Sequence, residues 1–221
     1  MNIVIFGATG MVGRGVLLEA LDSPDVDKVL IVSRYSSDVQ HPKLRQLIQD
    51  DFEHFDTIAD QLNGLDACFW CLGTTSVGLN EAAYTRITYD FTIAAAKVLY
   101  EKNPNLLFCF VSGAGTDSTE RGRVMWARVK GKAENALKLF GFQQVVIFRP
   151  ALIKPMRGCL PKGRFNRMMY TLFGFFAPLL RPFGMATSTV EVGRAMVAAG
   201  LGRSERQVLD SREINQLALK F

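Results

Sequence analysis

Histidine is scarce: the 221 residues include two, His41 and His54. Neither belongs to a cluster of ligand-type residues, so no metal centre is expected. Cysteine is also sparse, with four, Cys68, Cys71, Cys109 and Cys159, mostly inside apolar runs. Cys68 and Cys71 form a C-x-x-C, but on an expected strand. Strand alternation sends them to opposite faces, which argues against a redox or zinc pair. A reduced, cytoplasmic protein is expected. No clean apolar run reaches about eighteen residues, so no integral membrane segment is expected. The chain opens directly on a core strand, which leaves no room for a signal peptide. Low-complexity tracts are missing too, no repeat or linker interrupts the chain before residue 150, and the length suits one α/β domain. Aromatic–basic motifs of the RNA-binding type are absent. The net charge of +5 gathers in residues 121–132 and 154–181. A groove for an anionic cofactor explains that excess as well as a nucleic-acid surface would, and no nucleic-acid partner is expected.

What is present starts at residue 3. Ile3 to Phe6 read as a buried strand, and Gly7, Gly10 and Gly13 follow at three-residue spacing. Val12, Val16, Leu17, Ala20 and Leu21 then recur with helical period. Strand, glycine turn and helix together bring backbone N–H groups at a helix N-terminus close to an anion, usually a dinucleotide pyrophosphate. The Gly-Lys-Ser/Thr ending of a phosphate loop is missing, which disfavours ATP hydrolysis.

Strands and helices alternate down the chain. Lys28 to Val32 reads as strand two, Pro42 to Ile48 as a short helix, and Asp51-Phe52 as lying near the end of a third strand. Residues 56–62 look helical, and Asp66 to Leu72 is a fourth strand. Glu81 to Lys102 is the longest helical pattern. Leu106 to Val111, a helix over 124–140 and a strand from Gln143 to Phe148 follow. Ser188 or Thr189 is expected to cap a helix from Val190, Arg206 to Leu209 to be a short strand, and Ser211 to cap a last helix. This pattern predicts a doubly wound parallel α/β sheet, a Rossmann fold, with ligands at the carboxyl ends of its strands. Residues 1–221 form one domain in this reading, with 151–221 as a small C-terminal lobe on the substrate side.

Ser33-Arg34 closes strand two. An acidic residue there would hold a ribose 2′-hydroxyl; Arg34, helped by Ser33, suits a 2′-phosphate and points to NADP. Asp51 and Phe52 offer a carboxylate and a ring for adenine, or else a capping Asp and a core Phe. Leu72-Gly73-Thr74-Thr75, at the end of strand four, lets backbone approach the cofactor. Tyr84, Tyr89 and Tyr170 are other phenols, most simply read as packing residues. Arg164 to Pro182 reads as a hydrophobic lid or subunit contact, with a membrane-surface segment as the other reading.

The chain resembles the atypical short-chain dehydrogenase/reductase superfamily, and within it the Tat-interacting, metastasis-suppressor-like oxidoreductases. The resemblance rests on Gly7-Ala8-Thr9-Gly10-Met11-Val12-Gly13, Ser33-Arg34, Asp51-Phe52, Cys71 to Thr75, Val129-Lys130-Gly131-Lys132-Ala133-Glu134 and Phe148-Arg149-Pro150-Ala151. It implies NADP as cofactor, contacted by Gly7, Thr9, Gly10, Met11, Val12, Gly13, Ser33, Arg34, Asp51, Phe52, Leu72, Gly73, Thr74, Lys130 and Pro150. It also implies a catalytic Ser, Tyr and Lys. Ser112 and Lys130 match two of them, while Gly113 stands where many relatives carry another serine. Trp126 occupies the tyrosine position, four residues before Lys130. A phenol with a lowered pKa donates a proton to a reduced carbonyl; an indole N–H only forms hydrogen bonds. Two functions follow. One is an NADP(H)-dependent reductase of a small apolar carbonyl, quinone or flavin-like acceptor. The other is a non-catalytic NADP(H)-binding sensor that takes a protein partner. A sugar-nucleotide epimerase is a weaker third, because it too leans on the tyrosine. The apolar C-terminal lobe makes a homodimer plausible.

Overall fold

Nearly unbroken apolar runs build the centre of the molecule, because parallel strands covered on both faces need them. The computed structural model describes residues 1–160 and 183–221. Its strands are β1 (Asn2–Phe6), β2 (Lys28–Ser33), β3 (Leu44–Ile48), β4 (Ala67–Trp70), β5 (Leu107–Val111), β6 (Gln144–Arg149), β7 (Leu152–Lys154), β8 (Ala186–Ser188) and β9 (Val208–Asp210). Seven of them form one sheet in the order β3-β2-β1-β4-β5-β6-β9. Every pairing in it is parallel. β7 and β8 form a separate parallel pair. Strand order reverses between β1 and β4, and such a switch point is where doubly wound sheets open a crevice.

Alternation divides the side chains between two cores. Ile3, Ile5, Ile31 and Phe69 face one side, beneath α1 (Met11–Asp22), while Val4, Phe6, Val32 and Trp70 face the other. Further along the chain come α2 (Glu81–Thr85), one π-helical turn (Arg86–Asp90), α3 (Phe91–Lys102) and α4 (Met125–Leu139). α5 (Thr189–Gly200) and α6 (Ser211–Leu217) complete the set. α3 and α4 cover the second face through Ala95, Leu99, Ala133 and Leu137; α5 and α6 join α1 on the first. Cys68 and Cys71 accordingly lie against different cores. All four cysteines are free thiols. No helix among the described residues is long and apolar enough to cross a membrane.

α1 and α5 pack at glycine distance. A Cβ on Gly15 would stand 2.6 Å from Thr189, and one on Gly193 would stand 2.8 Å from Glu19. Glu19 is buried between the helices and is held by Arg157 at 2.6 Å and Arg194 at 2.9 Å. The same Arg157 reaches Asp22 at 2.7 Å.

Three sequence expectations change. Residues 44–48 are an edge strand, β3, and not the helix expected over Pro42 to Ile48. The final helix is capped by Asp210, which forms a capping box with Glu213; Ser211 is its first residue and accepts from the Ala151 amide at 2.9 Å. The long helix from Glu81 carries the π turn in its interior. The stretch Arg164 to Pro182 and Tyr170 lie outside the described residues.

Candidate cofactor site

The glycine turn is built by close contacts. Gly7 has φ +79°, and a Cβ there would meet the Leu72 nitrogen at 2.6 Å. The turn therefore sits against the end of β4. A Cβ on Gly13 would lie 2.2 Å from the Gly7 carbonyl, so the first turn of α1 packs directly on the loop. The Gly10 amide donates to Gly7 at 2.9 Å. Gly10 is also the N-cap, where no side chain caps the helix, and the first turn has no acid. Met11 and Val12 open that turn, and Thr9 lies in the loop before it. An uncapped helix start without a carboxylate is electrostatically suited to a phosphate. On that observation the residues fit a dinucleotide.

Arg34 follows β2 and is exposed; its guanidinium stands 6.0 Å from the Tyr35 ring, and among the described residues it has no carboxylate partner. Ser33 is buried and donates its hydroxyl to the Tyr35 carbonyl at 2.7 Å. Its proton thus shapes the turn that presents Arg34. Arg14, on α1, pairs with Asp38 and ties the same loop down. Asp51 holds His54 at 2.8 Å and accepts from the Glu53 amide at 2.8 Å. That contact lowers the Asp51 carboxyl pKa and raises that of the His54 imidazole. The Phe52 ring is buried against Phe6, Phe55 and Phe91, with no open face for adenine, so the core reading replaces the stacking one for this side chain. Leu72, Gly73 and Thr74 line the end of β4; a Cβ on Gly73 would meet nothing within 4 Å. Pro150 is buried, and its carbonyl accepts from the Ala114 amide at 2.9 Å, bracing the loop after β5.

Ser112 begins that loop, its amide fixed to the Phe148 carbonyl at 2.7 Å. Its hydroxyl lies 3.0 Å from the Thr116 hydroxyl. Lys130, on α4, extends its ammonium to the Val111 carbonyl at 3.4 Å, next to Ser112 in sequence, and 5.5 Å from the Phe110 ring. Burial lowers the Lys130 pKa to about 8, and Glu134 one turn away works in the opposite direction. Glu134 is itself fully buried and takes a two-point contact from Arg149. Trp126 lies along the Gly113–Gly115 loop: Cβ atoms on those glycines would stand 3.9 and 3.5 Å from its ring. The fold therefore sets Trp126 and Lys130 against the segment Val111–Gly115 that holds Ser112. It also sets Arg34, the Gly7–Gly13 turn, Leu72–Thr74 and Ser112 along one carboxyl edge, over the ends of β2, β1, β4 and β5. At a strand spacing of about 4.8 Å, that row spans about 14 Å. The sequence reading missed Thr116 and the Glu134–Arg149 pair as partners of the site. A buried-type acid at a helical i,i+4 spacing from Lys130 was the available signal for the second.

A parallel sheet whose first βα turn opens at the switch point defines a Rossmann-type dinucleotide-binding protein. The chain belongs to the NAD(P)H-binding family, which it matches over residues 7–154. It fits the atypical short-chain dehydrogenase/reductases within that class. Among its relatives is Protein fmp52, mitochondrial, of Emericella nidulans, 27% identical over 208 aligned positions, gaps included, which cover 90% of this chain and 87% of that one. Protein HTATIP2 of Rattus norvegicus is 26% identical over 223 aligned positions, gaps included, which cover 98% of this chain and 88% of the relative. Of solved structures, WbmF of Bordetella bronchiseptica in complex with NAD+ superposes with a TM-score of 0.68 at 14% identity, covering 99% of this chain and 76% of that one. UDP-glucose 4-epimerase of Thermotoga maritima gives 0.67 at 16% identity, covering 99% and 81%. At such identities these two establish the fold. The fmp52 relatives are named mitochondrial, which overturns the cytoplasmic expectation. The four free cysteines do not separate one compartment from another.

Proposed function

We propose that this protein is an NADP(H)-dependent oxidoreductase that passes a hydride to a small apolar carbonyl, quinone or flavin-like acceptor. The observation that carries the reading is the single carboxyl edge with Arg34 at one end and the Ser112–Lys130 pair at the other. Arg34, with no described acid to neutralise it, is placed for a 2′-phosphate, through paired N–H donors. The uncapped start of α1 takes the pyrophosphate. Lys130 holds the nicotinamide ribose hydroxyls, and Ser112 meets the acceptor oxygen. When bound, the nicotinamide supplies the hydride. Residues 151–221 form the substrate side in this reading.

Trp126 sets the acceptor class. Its indole N–H does not ionise usefully, so it cannot stand in for a phenol as proton donor. Quinones and flavins suit the site best, because their reduced anions take the proton from water. Direct binding of NADPH and NADH, followed by an NADPH oxidation screen over carbonyls, quinones and flavins, tests the proposal. NADPH is expected to bind more tightly and to be oxidised by at least one apolar acceptor. Binding of neither nucleotide overturns it. Tight NADPH binding without any turnover overturns the oxidoreductase and leaves the sensor.

A further inference from the structure

The hydroxyl pair beside Lys130 has a direction. Thr116 is buried and donates its hydroxyl proton to the Gly113 carbonyl at 2.8 Å. A threonine hydroxyl has one proton, so towards Ser112 it is an acceptor only. The 3.0 Å contact is therefore Ser112 donating to Thr116. Ser112 has then spent its own proton, and what it offers an incoming ligand is a lone pair.

We infer that Thr116 is a positioning residue that makes Ser112 a hydrogen-bond acceptor, so that the substrate side favours the hydroxyl form of a substrate pair over its carbonyl form. The inference rests on the reading above that Ser112 meets the substrate oxygen. A ligand hydroxyl adds one hydrogen bond to an intact chain, running from ligand to Ser112 to Thr116 to Gly113. A ligand carbonyl needs the chain reversed. Thr116 must leave the Gly113 carbonyl and turn to Ser112, and Ser112 must turn to the ligand. Reversal gains no hydrogen bond in total. It stays accessible because the Gly113 carbonyl keeps the Thr116 amide, at 3.2 Å, as a second donor. The two forms of one substrate pair are thus held by opposite settings of the same two hydroxyls, and the resting setting suits the alcohol. No proton changes owner in this step; only the orientation of the hydroxyls differs.

Thr116→Val keeps the branched shape and deletes the hydroxyl. Ser112 would then have a proton to give a carbonyl at no cost, while an alcohol and Ser112 share one hydrogen bond in either direction and leave one of their two hydroxyl protons unpaired in a buried place. An unpaired buried donor costs enough to weaken binding about tenfold. The first measurement is neutron diffraction from deuterium-exchanged crystals of the full chain. The expected map has the Thr116 deuteron on the Gly113 carbonyl and the Ser112 deuteron on Thr116; a Ser112 deuteron pointing away from Thr116 overturns the inference. The second is calorimetric binding of 1-phenylethanol to the NADPH complex and of acetophenone to the NADP+ complex, each compared between wild type and variant. Thr116→Val is expected to weaken the alcohol about tenfold and leave the ketone equal or tighter. Thr116→Ser should restore the wild-type ratio, with NADPH affinity constant throughout. If Ser112→Ala weakens the alcohol but Thr116→Val leaves the ratio unchanged, the inference falls. Should Ser112→Ala change neither ligand, or neither ligand bind, the fault lies with Ser112 as the substrate contact, and the proposed substrate site falls with it.

Discussion

At the residue scale the most informative group is Lys130. Its pKa is pushed down to about 8 by burial, so the folded protein holds an ammonium it would more readily release. Between about pH 8 and the ordinary lysine range the unfolded chain binds more protons than the folded one, and stability rises with pH there. The penalty is fully present below pH 8. Urea unfolding at pH 7 and pH 9.5 should show wild type gaining on Lys130→Met as the pH rises; a constant gap would refute the shift. Arg34 carries a second prediction. Arg34→Ala should weaken NADPH about 10- to 100-fold, the worth of a charge-assisted hydrogen bond, and leave NADH nearly unchanged, as read by fluorescence titration. Trp126→Tyr should raise carbonyl turnover at least tenfold with NADPH affinity constant, since general acid catalysis contributes that much or more. These residues were legible from the sequence because each sits at a fixed offset from a strand end or within one motif. Thr116 was not: its meaning depends on a loop folding back so that its hydroxyl meets Ser112 and Gly113 together. Phe52 looked ambiguous for a related reason, since burial of a ring is decided by Phe6 and Phe91, far from it in sequence.

Elements explain which parts of the architecture the sequence disclosed. The central strands were readable because four or more apolar residues in a row have few other uses in a chain of this type. β3 was misread because Leu44, Leu47 and Ile48 fall at i, i+3 and i+4, the spacing of a helix face, while the strand is only half buried and lacks clean alternation. Edge strands give that weak signal. The contact of α1 with α5 was invisible, because Gly15 meets Thr189 and Glu19 meets Arg194 across more than half the chain. Glu19→Gln should cost about 1–3 kcal/mol in urea unfolding, less than for a sealed ion pair because both arginines are partly solvated. The same variant should speed proteolysis of the Met156–Cys159 loop, which Arg157 fastens to α1. Gly13→Ala forces a methyl onto the Gly7 carbonyl and should cost about 1–3 kcal/mol, with NADPH affinity lost alongside.

For the molecule as a whole, ligand and fold are linked: a nucleotide that binds only the folded state stabilises it by about 2.7 kcal/mol at a hundred times its Kd. In a chain of this length that corresponds to a rise of about 5–10 °C in Tm. NADPH should produce such a shift and NADH a smaller one at equal concentration, measured by calorimetry; equal shifts would count against the role given to Arg34. The sheet order has a different kind of consequence, in time. Chains emerge from the ribosome N-terminus first. β1, β2 and β3 are neighbours in the sheet and together need only the first 48 residues. The Arg34 end of the edge is therefore complete early, while the other flank of β1 stays bare until β4 appears at residue 67. β6 waits about as long, from residue 149 to residue 208, for β9. In nascent chains of this protein β1, β4, β5 and β6 each present an unpaired flank in turn, the first and the last over the longest stretches of chain, and those two intervals are when a chaperone has most to cover.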